Sequence, residues 1–278
     1  MTEPWWGVAV RCRPADRDAV AAFLVGITGQ GVEEAADGLI HTVVESEAEA
    51  AVLIAEAAAT FRDIEGTTSR LDPIDWSVHW RDGITTRRFG RLIVTPSWLP
   101  VAAEPGAVVL TIDPESAFGN GEHGSTRAAL VLMERHIRPG VRMLDLGSGS
   151  GVLAIGAVLL GAKSAVGIEI DDDASPIAEA NAVRNGVADR VTFLVGDAAD
   201  LSSIVAPADL VCSNILRTVN TILLPTIHAS LVPGGVAIFS GMEEAEEPLF
   251  RPVLGASGFA PFDDVRDGGW WAVAAHRA

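Results

Sequence analysis

Residues 144–151 read Leu-Asp-Leu-Gly-Ser-Gly-Ser-Gly, between a short apolar run, Met143–Leu146, and an apolar stretch of helical character, Val152–Leu160. Three alternate glycines in that setting mark a strand, a tight turn and a helix start. Glycine lets the backbone approach a ligand closely, and the helix start offers unpaired N–H groups. Glu169 ends the next apolar run, 22 residues after Gly147. A carboxylate there accepts hydrogen bonds from both hydroxyls of a ribose. Asp197 follows a third run in Gly196-Asp197, where a carboxylate meets an adenine amino group. The ordered set Gly147, Gly149, Gly151, Glu169 and Asp197, with Asp145 just before the turn, therefore reads as a nucleoside site. Asp171, Asp172 and Asp173 read as acidic residues at a helix start.

The wider pattern agrees. Met143–Leu146, Ala165–Ile170, Val191–Val195, Asp209–Ser213 and Val236–Ser240 are short apolar runs, separated by helical stretches at Val152–Leu160, Ala174–Asn185 and Thr218–Leu231. Continuous apolar strands alternating with helices make a parallel sheet covered on both faces. Phe259–Val265 and Trp270–His276, joined by Asp267-Gly268-Gly269, read as a terminal antiparallel hairpin. That layout is the seven-stranded α/β, Rossmann-like sheet of the class I S-adenosylmethionine (SAM) methyltransferases. The GxGxG spacing suits SAM, which has no pyrophosphate, better than the GxGxxG of dinucleotide folds, so an NAD-dependent oxidoreductase is the weaker reading.

The first 65 residues read as a small α+β unit in the order βαββα, a ferredoxin-like arrangement, with Ser46 and Glu49 as a capping box on the second helix. Residues 66–105 are punctuated by Pro73, Pro96, Pro100 and Pro105. They read as a linker and connector, with a helical turn at Asp72–Trp76 and a strand within Arg91–Trp98, leaving 106–278 as the catalytic domain. The formal charge of −17, from 20 basic and 37 acidic residues, disfavours a phosphate backbone as ligand and suits a basic partner. Cys12 and Cys212 form no metal-ligand or disulfide pattern, so no metal is expected. No apolar stretch approaches the ~20 residues of a membrane helix, and the first residues lack a signal-peptide pattern. A soluble, cytoplasmic monomer is expected.

Two further segments carry chemistry. Phe118–Thr126 contains three glycines within six residues and suits a mobile loop folding over a ligand. Ser125 or Thr126 is placed to cap the following helix, and the Thr126 hydroxyl to bond a ligand carboxylate. His123 has two readings, shaping the loop or acting near the chemistry. Asn214 ends the fourth apolar run of the sheet and is either a substrate and cofactor contact or the cap of the next helix.

Taken together, these blocks resemble the ribosomal protein L11 methyltransferase family (PrmA). Phe118–Thr126 resembles that family's FGTGxHxTT, Asp145–Gly161 its SAM loop and helix, and Asn181–Val187 its NAxxNGV. Asn214-Ile215-Leu216 with Leu231–Gly235 and Ser240-Gly241 resembles its NIL…LxPGG…SG, and the GVEE region and Trp-containing connector are similar too. The resemblance implies an N-terminal substrate-recognition domain and SAM-dependent methylation of lysine and N-terminal amines on a basic ribosomal protein. It implies SAM contacts at Thr126, Gly147, Glu169 and Asn214, and Phe118 in the matching loop is a further cofactor candidate. The chain departs from the family pattern at Asn120, Ser125, Glu169 (usually Asp), Gly83 and Arg217, the last a charge at the substrate mouth. On this reading Asn214 and His123 are the catalytic candidates, with Asn214 accepting a hydrogen bond from the acceptor amine. A small-molecule methyltransferase, an enzyme for another protein's lysines and a catalytically silent SAM binder are the alternatives.

Overall fold

The computed structural model of the protein describes residues 5–29, 31–34, 39–70, 83–102 and 104–278. The turn expected at Asp72–Trp76 and part of the GVEE region lie outside them. The chain divides into two compact units, Met1–His79 and Trp80–Ala278.

The first unit runs β1 (Trp6–Arg11), α1 (Arg17–Thr28), β2 (Glu33–Glu34), β3 (Leu39–Val44), α2 (Glu47–Thr60) and β4 (Glu65–Arg70). Its antiparallel sheet has the order β2-β3-β1-β4, the split βαβ arrangement expected of a ferredoxin-like unit. Strand alternation sends Val8, Val10, Ile40 and Val44 to one face, where they meet Val20 and Leu24 of α1 and Leu53 of α2. Only half of the expected capping box forms. Ser46 Oγ accepts from the Glu49 N–H at 3.2 Å, but the Glu49 carboxylate accepts from Glu45 N–H, one residue before the cap. The sequence pattern lacks β4 because Glu-Gly-Thr-Thr-Ser-Arg is polar on both faces. The strand is held by its ladder to β1, from Trp6↔Arg70 to Arg11↔Glu65.

In the second unit β5 (Arg87–Phe89), β6 (Leu92–Thr95) and β7 (Val108–Thr111) form a small sheet. The segment 66–105 is thus shared: its start is β4 of the first unit, and β5 and β6 belong to the second. There follow α3 (Gly124–His136), β8 (Arg142–Leu146), α4 (Val152–Leu159), β9 (Ser164–Glu169), α5 (Ala174–Arg184), β10 (Val191–Val195), α6 (Ala198–Val205), β11 (Ala208–Asn214), α7 (Arg217–Ser230), β12 (Leu231–Glu243), α8 (Glu247–Ala256), β13 (Phe259–Asp267) and β14 (Trp270–Arg277).

Seven strands make the main sheet, in the order β10-β9-β8-β11-β12-β14-β13. The first five are parallel, and β14 is antiparallel to both neighbours. This is the class I methyltransferase layout. Alternate residues fill two cores: Met143, Cys212 and Ile238 belong to one, Leu144, Val211 and Phe239 to the other. The β13–β14 turn is Gly268-Gly269 with φ of 57° and 84°, a primed two-residue hairpin that needs positive φ at both positions.

The two asparagines of the NAxxNGV block do structural work. Asn185 accepts from Thr111 N–H at 2.9 Å and donates to Thr111 O at 2.7 Å. Asn181 does the same to Asp113, at 3.0 and 3.1 Å, and also donates to Ser150 O at 3.0 Å. Side-chain amides on α5 thus pair with the free edge of β7 as another strand would. They also fix where the chain leaves for the Phe118–Thr126 loop. Asn181 is fully buried, and its removal strands backbone groups at a cost of about 1–3 kcal/mol each. Asn181→Ala should lower unfolding stability by about 2–4 kcal/mol in urea titration, and half-exposed Asn185→Ala by less. Equal, small losses at both positions would contradict the strand-like role.

Candidate active site

Every site residue expected from the sequence lies in the second unit. They occupy the carboxyl ends of β8, β9, β10 and β11, or the segment that leads into α3. Gly147, Gly149 and Gly151 all have positive φ, at 72°, 49° and 82°. Gly149 is fixed by more than its backbone angle: a Cβ there would lie 2.3 Å from the Phe118 carbonyl oxygen. The two loops touch at that point. Ser150 N–H donates to Phe118 O at 2.8 Å, and the Ser150 hydroxyl donates to Gly119 O.

Glu169 Oε2 accepts from Gly149 N–H at 2.9 Å, and Oε1 accepts from Ile170 and Asp171 N–H at 2.8 and 3.1 Å. Three of roughly four lone-pair positions are occupied, so the carboxylate is fixed with one position on Oε2 open. Gripping two ribose hydroxyls requires one of the Oε1 donors to yield. Ile170 beside it is 75% exposed, an apolar side chain that the sequence reading passed over. Asp197 caps α6, its Oδ1 accepting from Ala199 N–H at 2.7 Å.

Among the described residues, three buried side-chain polar atoms have no hydrogen-bond partner: Asp145 Oδ1, Ser148 Oγ and Asn214 Oδ1. All three sit at or just past the ends of the paired strands β8 and β11. Unsatisfied buried groups are rare and cost about 1–3 kcal/mol each. Their concentration at one place fits a polar ligand there, and a nucleoside-bearing amino acid such as SAM offers donors and acceptors for them. Asn214 Nδ2 donates to Thr126 Oγ1 at 3.3 Å. The helix-cap alternative for Asn214 is not realised, because Leu216 is the N-cap of α7. Neither does Ser125 or Thr126 cap α3: His123 holds the N-cap position without a side-chain cap bond, and both hydroxyls lie in the first turn.

The Phe118–Thr126 loop is tied down on several sides instead of lying free over the site. Asn120 Oδ1 accepts from Glu122 N–H at 2.9 Å. The Glu122 carboxylate accepts from Thr85 N–H at 2.7 Å and Arg87 Nε at 2.8 Å. Against the cost of burial, these bonds hold its pKa below the usual carboxylate range. Arg127 donates to Glu122 O and, through Nε at 2.8 Å, to Asp267. Ser240 Oγ donates to Ser125 O at 2.8 Å. The His123 ring packs between Phe118 and Trp270, with centroids 5.2 and 4.3 Å away, and Nδ1 lies 2.7 Å from Ser125 Oγ. Burial, aided by the Arg127 charge, lowers the His123 pKa, so the imidazole is neutral at pH 7. A cavity of about 470 Å³ opens beside the loop, lined by Phe118, His123 and the acids Glu115 and Glu122. Phe118 is 54% exposed beside it.

Two residues adjust the expectations. Arg217 bonds Glu246 at 2.9 Å, so its charge is paired. Asn220, which the sequence reading missed, is fully buried: it accepts from Ser213 Oγ at 2.7 Å and donates to Ile215 O and Ser240 O at 3.0 and 2.9 Å. It thereby holds the turn that presents Asn214. The signal was present, since asparagine is a poor helix former and this one falls on the buried side of an amphipathic helix.

Asp145 is fully buried, and burial pushes its carboxyl up to about 8, opposed by the Ala154 N–H bond and reinforced by the nearby Glu169 charge. The folded chain therefore holds this proton more tightly than the unfolded chain. The stability it brings is complete below the usual carboxylate range and is lost as pH rises toward 8. Wild-type unfolding free energy should fall between about pH 5 and 8, and Asp145→Asn should flatten that fall. Parallel pH profiles for the two proteins would place the proton elsewhere.

Comparison with known proteins agrees with this geometry. The sequence model of the ribosomal protein L11 methyltransferase (PrmA) family matches residues 28–278. A ribosomal protein L11 methyltransferase of Pelotomaculum thermopropionicum is 40% identical over 210 residues, covering 75% of this chain and 68% of its own. That of Thermus thermophilus is 39% identical, covering 76% and 80%. That of Geobacter metallireducens is 32% identical over 97% of both chains. The crystal structure of ribosomal protein L11 methylase from Lactobacillus delbrueckii subsp. bulgaricus superposes with a TM-score of 0.63 at 29% identity, covering 69% of this chain and 98% of that one. With the sheet order, the SAM loop and the match all pointing the same way, the chain belongs to the ribosomal protein L11 methyltransferase family, whose members are SAM-dependent methyltransferases.

Proposed function

We propose that this methyltransferase transfers methyl groups from SAM to amino groups, lysine side chains and an N-terminal amine, of ribosomal protein L11. It acts in the cytoplasm as a monomer, on a basic protein and without nucleic acid. The observation that carries the site assignment is the cluster of unpartnered buried atoms on Asp145, Ser148 and Asn214.

SAM supplies an activated methyl on a sulfonium when bound. The chain's own residues bind, orient and dry the site. Glu169 would hold the ribose, exposed Ile170 would offer an apolar surface to the adenine, and Asp197, with Oδ1 committed to its helix, would leave Oδ2 for the adenine amino group. Gly147, Gly149 and Gly151 let the backbone run close to the ligand, and Asp145 and Ser148 offer their unpartnered atoms to its polar groups.

Phe118 and the anchored loop exclude water, and Thr126 holds the Asn214 amide in one orientation. The Asn214 Oδ1 then accepts a hydrogen bond from the incoming amine and aims its lone pair, which is a gain through positioning. A lysine ammonium, with an ordinary pKa near 10.4, must first lose a proton, and a dry mouth favours the neutral form. His123, itself neutral, lines that mouth. Glu115, which lines the cavity beside the loop, suits a cationic side chain on approach.

Labelled methyl transfer from SAM to isolated ribosomal proteins, read by intact mass, tests the reading. Increments on L11 are expected. Increments on another protein would keep the chemistry and replace the substrate, and none at all would remove the protein-methylation reading. At saturating SAM, Asn214→Ala should lower kcat about 100-fold. Near-normal turnover in that variant would take the amine-orienting role away from Asn214.

A further inference from the structure

The first unit holds a groove of about 500 Å³ at one end of its helix layer, and none of its lining residues belongs to the methyl-transfer site. Its floor is Leu53, buried against the sheet. Its walls are apolar side chains left open to solvent: Trp5 is 39% exposed, Ile27 47% and Val52 56%. The rim carries Glu45, Glu49 and Glu56, and among the described residues no lysine, arginine or histidine lines the groove.

The local structure explains why these residues converge. Trp6 pairs with Val44, so Trp5 and Glu45 emerge together at the same end of the sheet. Glu49, Val52 and Glu56 recur at the spacing of one helix face along α2. The last turn of α1 closes the third side with Ile27 and Thr28, and that turn contains no basic residue. The negative pole of α1 therefore reinforces the three carboxylates.

Monomeric proteins seldom leave a rimmed apolar patch without use. Here apolar walls and an acidic rim select an occupant that inserts an apolar side chain while presenting lysines or arginines around it. We propose that this groove docks a basic amphipathic segment of the protein substrate. The inference rests on the protein-methylation reading above and gives the first unit a defined contact surface within it. The chain's overall charge of −17 favours the same partner in approach, while the groove supplies the site of contact.

The test is the double variant Val52→Lys, Glu56→Lys. Both side chains are exposed, so folding is expected to survive, and unchanged circular dichroism and SAM affinity by calorimetry confirm it. For L11, the variant should show a KM raised roughly tenfold or more with kcat little changed. Calorimetric titration of L11 should show binding weakened by a similar factor. A short peptide carrying only the acceptor lysine should be methylated equally by both enzymes. If the wild type methylates L11 and the variant's KM is unaltered, the groove proposal is wrong and the functional reading stands. If L11 binds the wild type without being methylated, the functional reading falls, and weakened binding by the variant still supports the groove. If L11 neither binds nor is methylated, both fall. Sedimentation of the wild type as a dimer that the variant dissociates, with KM unaltered, would assign the groove to a second copy and overturn the proposal.

Discussion

Parallel strands end abruptly, and the backbone just beyond them has no ladder partner. Around the carboxyl ends of β8 and β11, side chains make good that deficit. Asn220 ties Ile215 O to Ser240 O. Ser240 reaches Ser125 O, and Ser150 engages both Phe118 and Gly119. On the far side, Asn181 and Asn185 act as a substitute strand for β7. Because a buried polar group left alone is expensive, these bonds are obligatory in a way that surface ion pairs are not. Separate segments of the second unit are thereby held at fixed separations, and the site exists only where they meet.

Against that background, the three atoms left unsatisfied stand out. A structure that spends so many side chains on pairing has no evident packing reason to leave Asp145, Ser148 and Asn214 short. Asp145 shows the consequence most clearly, since its burial favours the neutral acid over the carboxylate. A cationic ligand would reverse that balance, because a nearby positive charge stabilises the ionised form. The site is therefore electrostatically incomplete by itself.

Much of this was legible in the sequence, for identifiable reasons. Strands buried on both faces appear as unbroken apolar runs, so β8 to β11 could be placed to within a residue or two. Glycines in positive-φ turns and the two-glycine hairpin leave direct signatures. Of the elements that escaped, β7 is a short apolar run, and the others are not written in apolar periodicity. β4 is polar throughout, α8 contains Pro248 and Pro252, and α6 is largely exposed. In the site, the residue types were readable but their partners were not. The glycines of Phe118–Thr126 indicate freedom, and nothing local reveals that Thr85, Arg87, Ser240 and Asp267 remove it. Those contacts join residues as many as 140 positions apart. The same holds for Asn214, whose orientation comes from Thr126, 88 positions earlier.

The anchoring of the loop through Arg127 to Asp267, and of His123 against Trp270, also sets an order in time. During synthesis the candidate cofactor residues are all made before the hairpin that ties the loop. β14, moreover, must enter between β12 and β13 and cannot simply be added at an edge. Until it does, β12 presents an open edge and the loop lacks two of its ties. An incomplete chain could thus fold much of its nucleoside site while remaining unable to hold the loop over it. The ties of the loop to the hairpin thus depend on the insertion of β14 into the sheet.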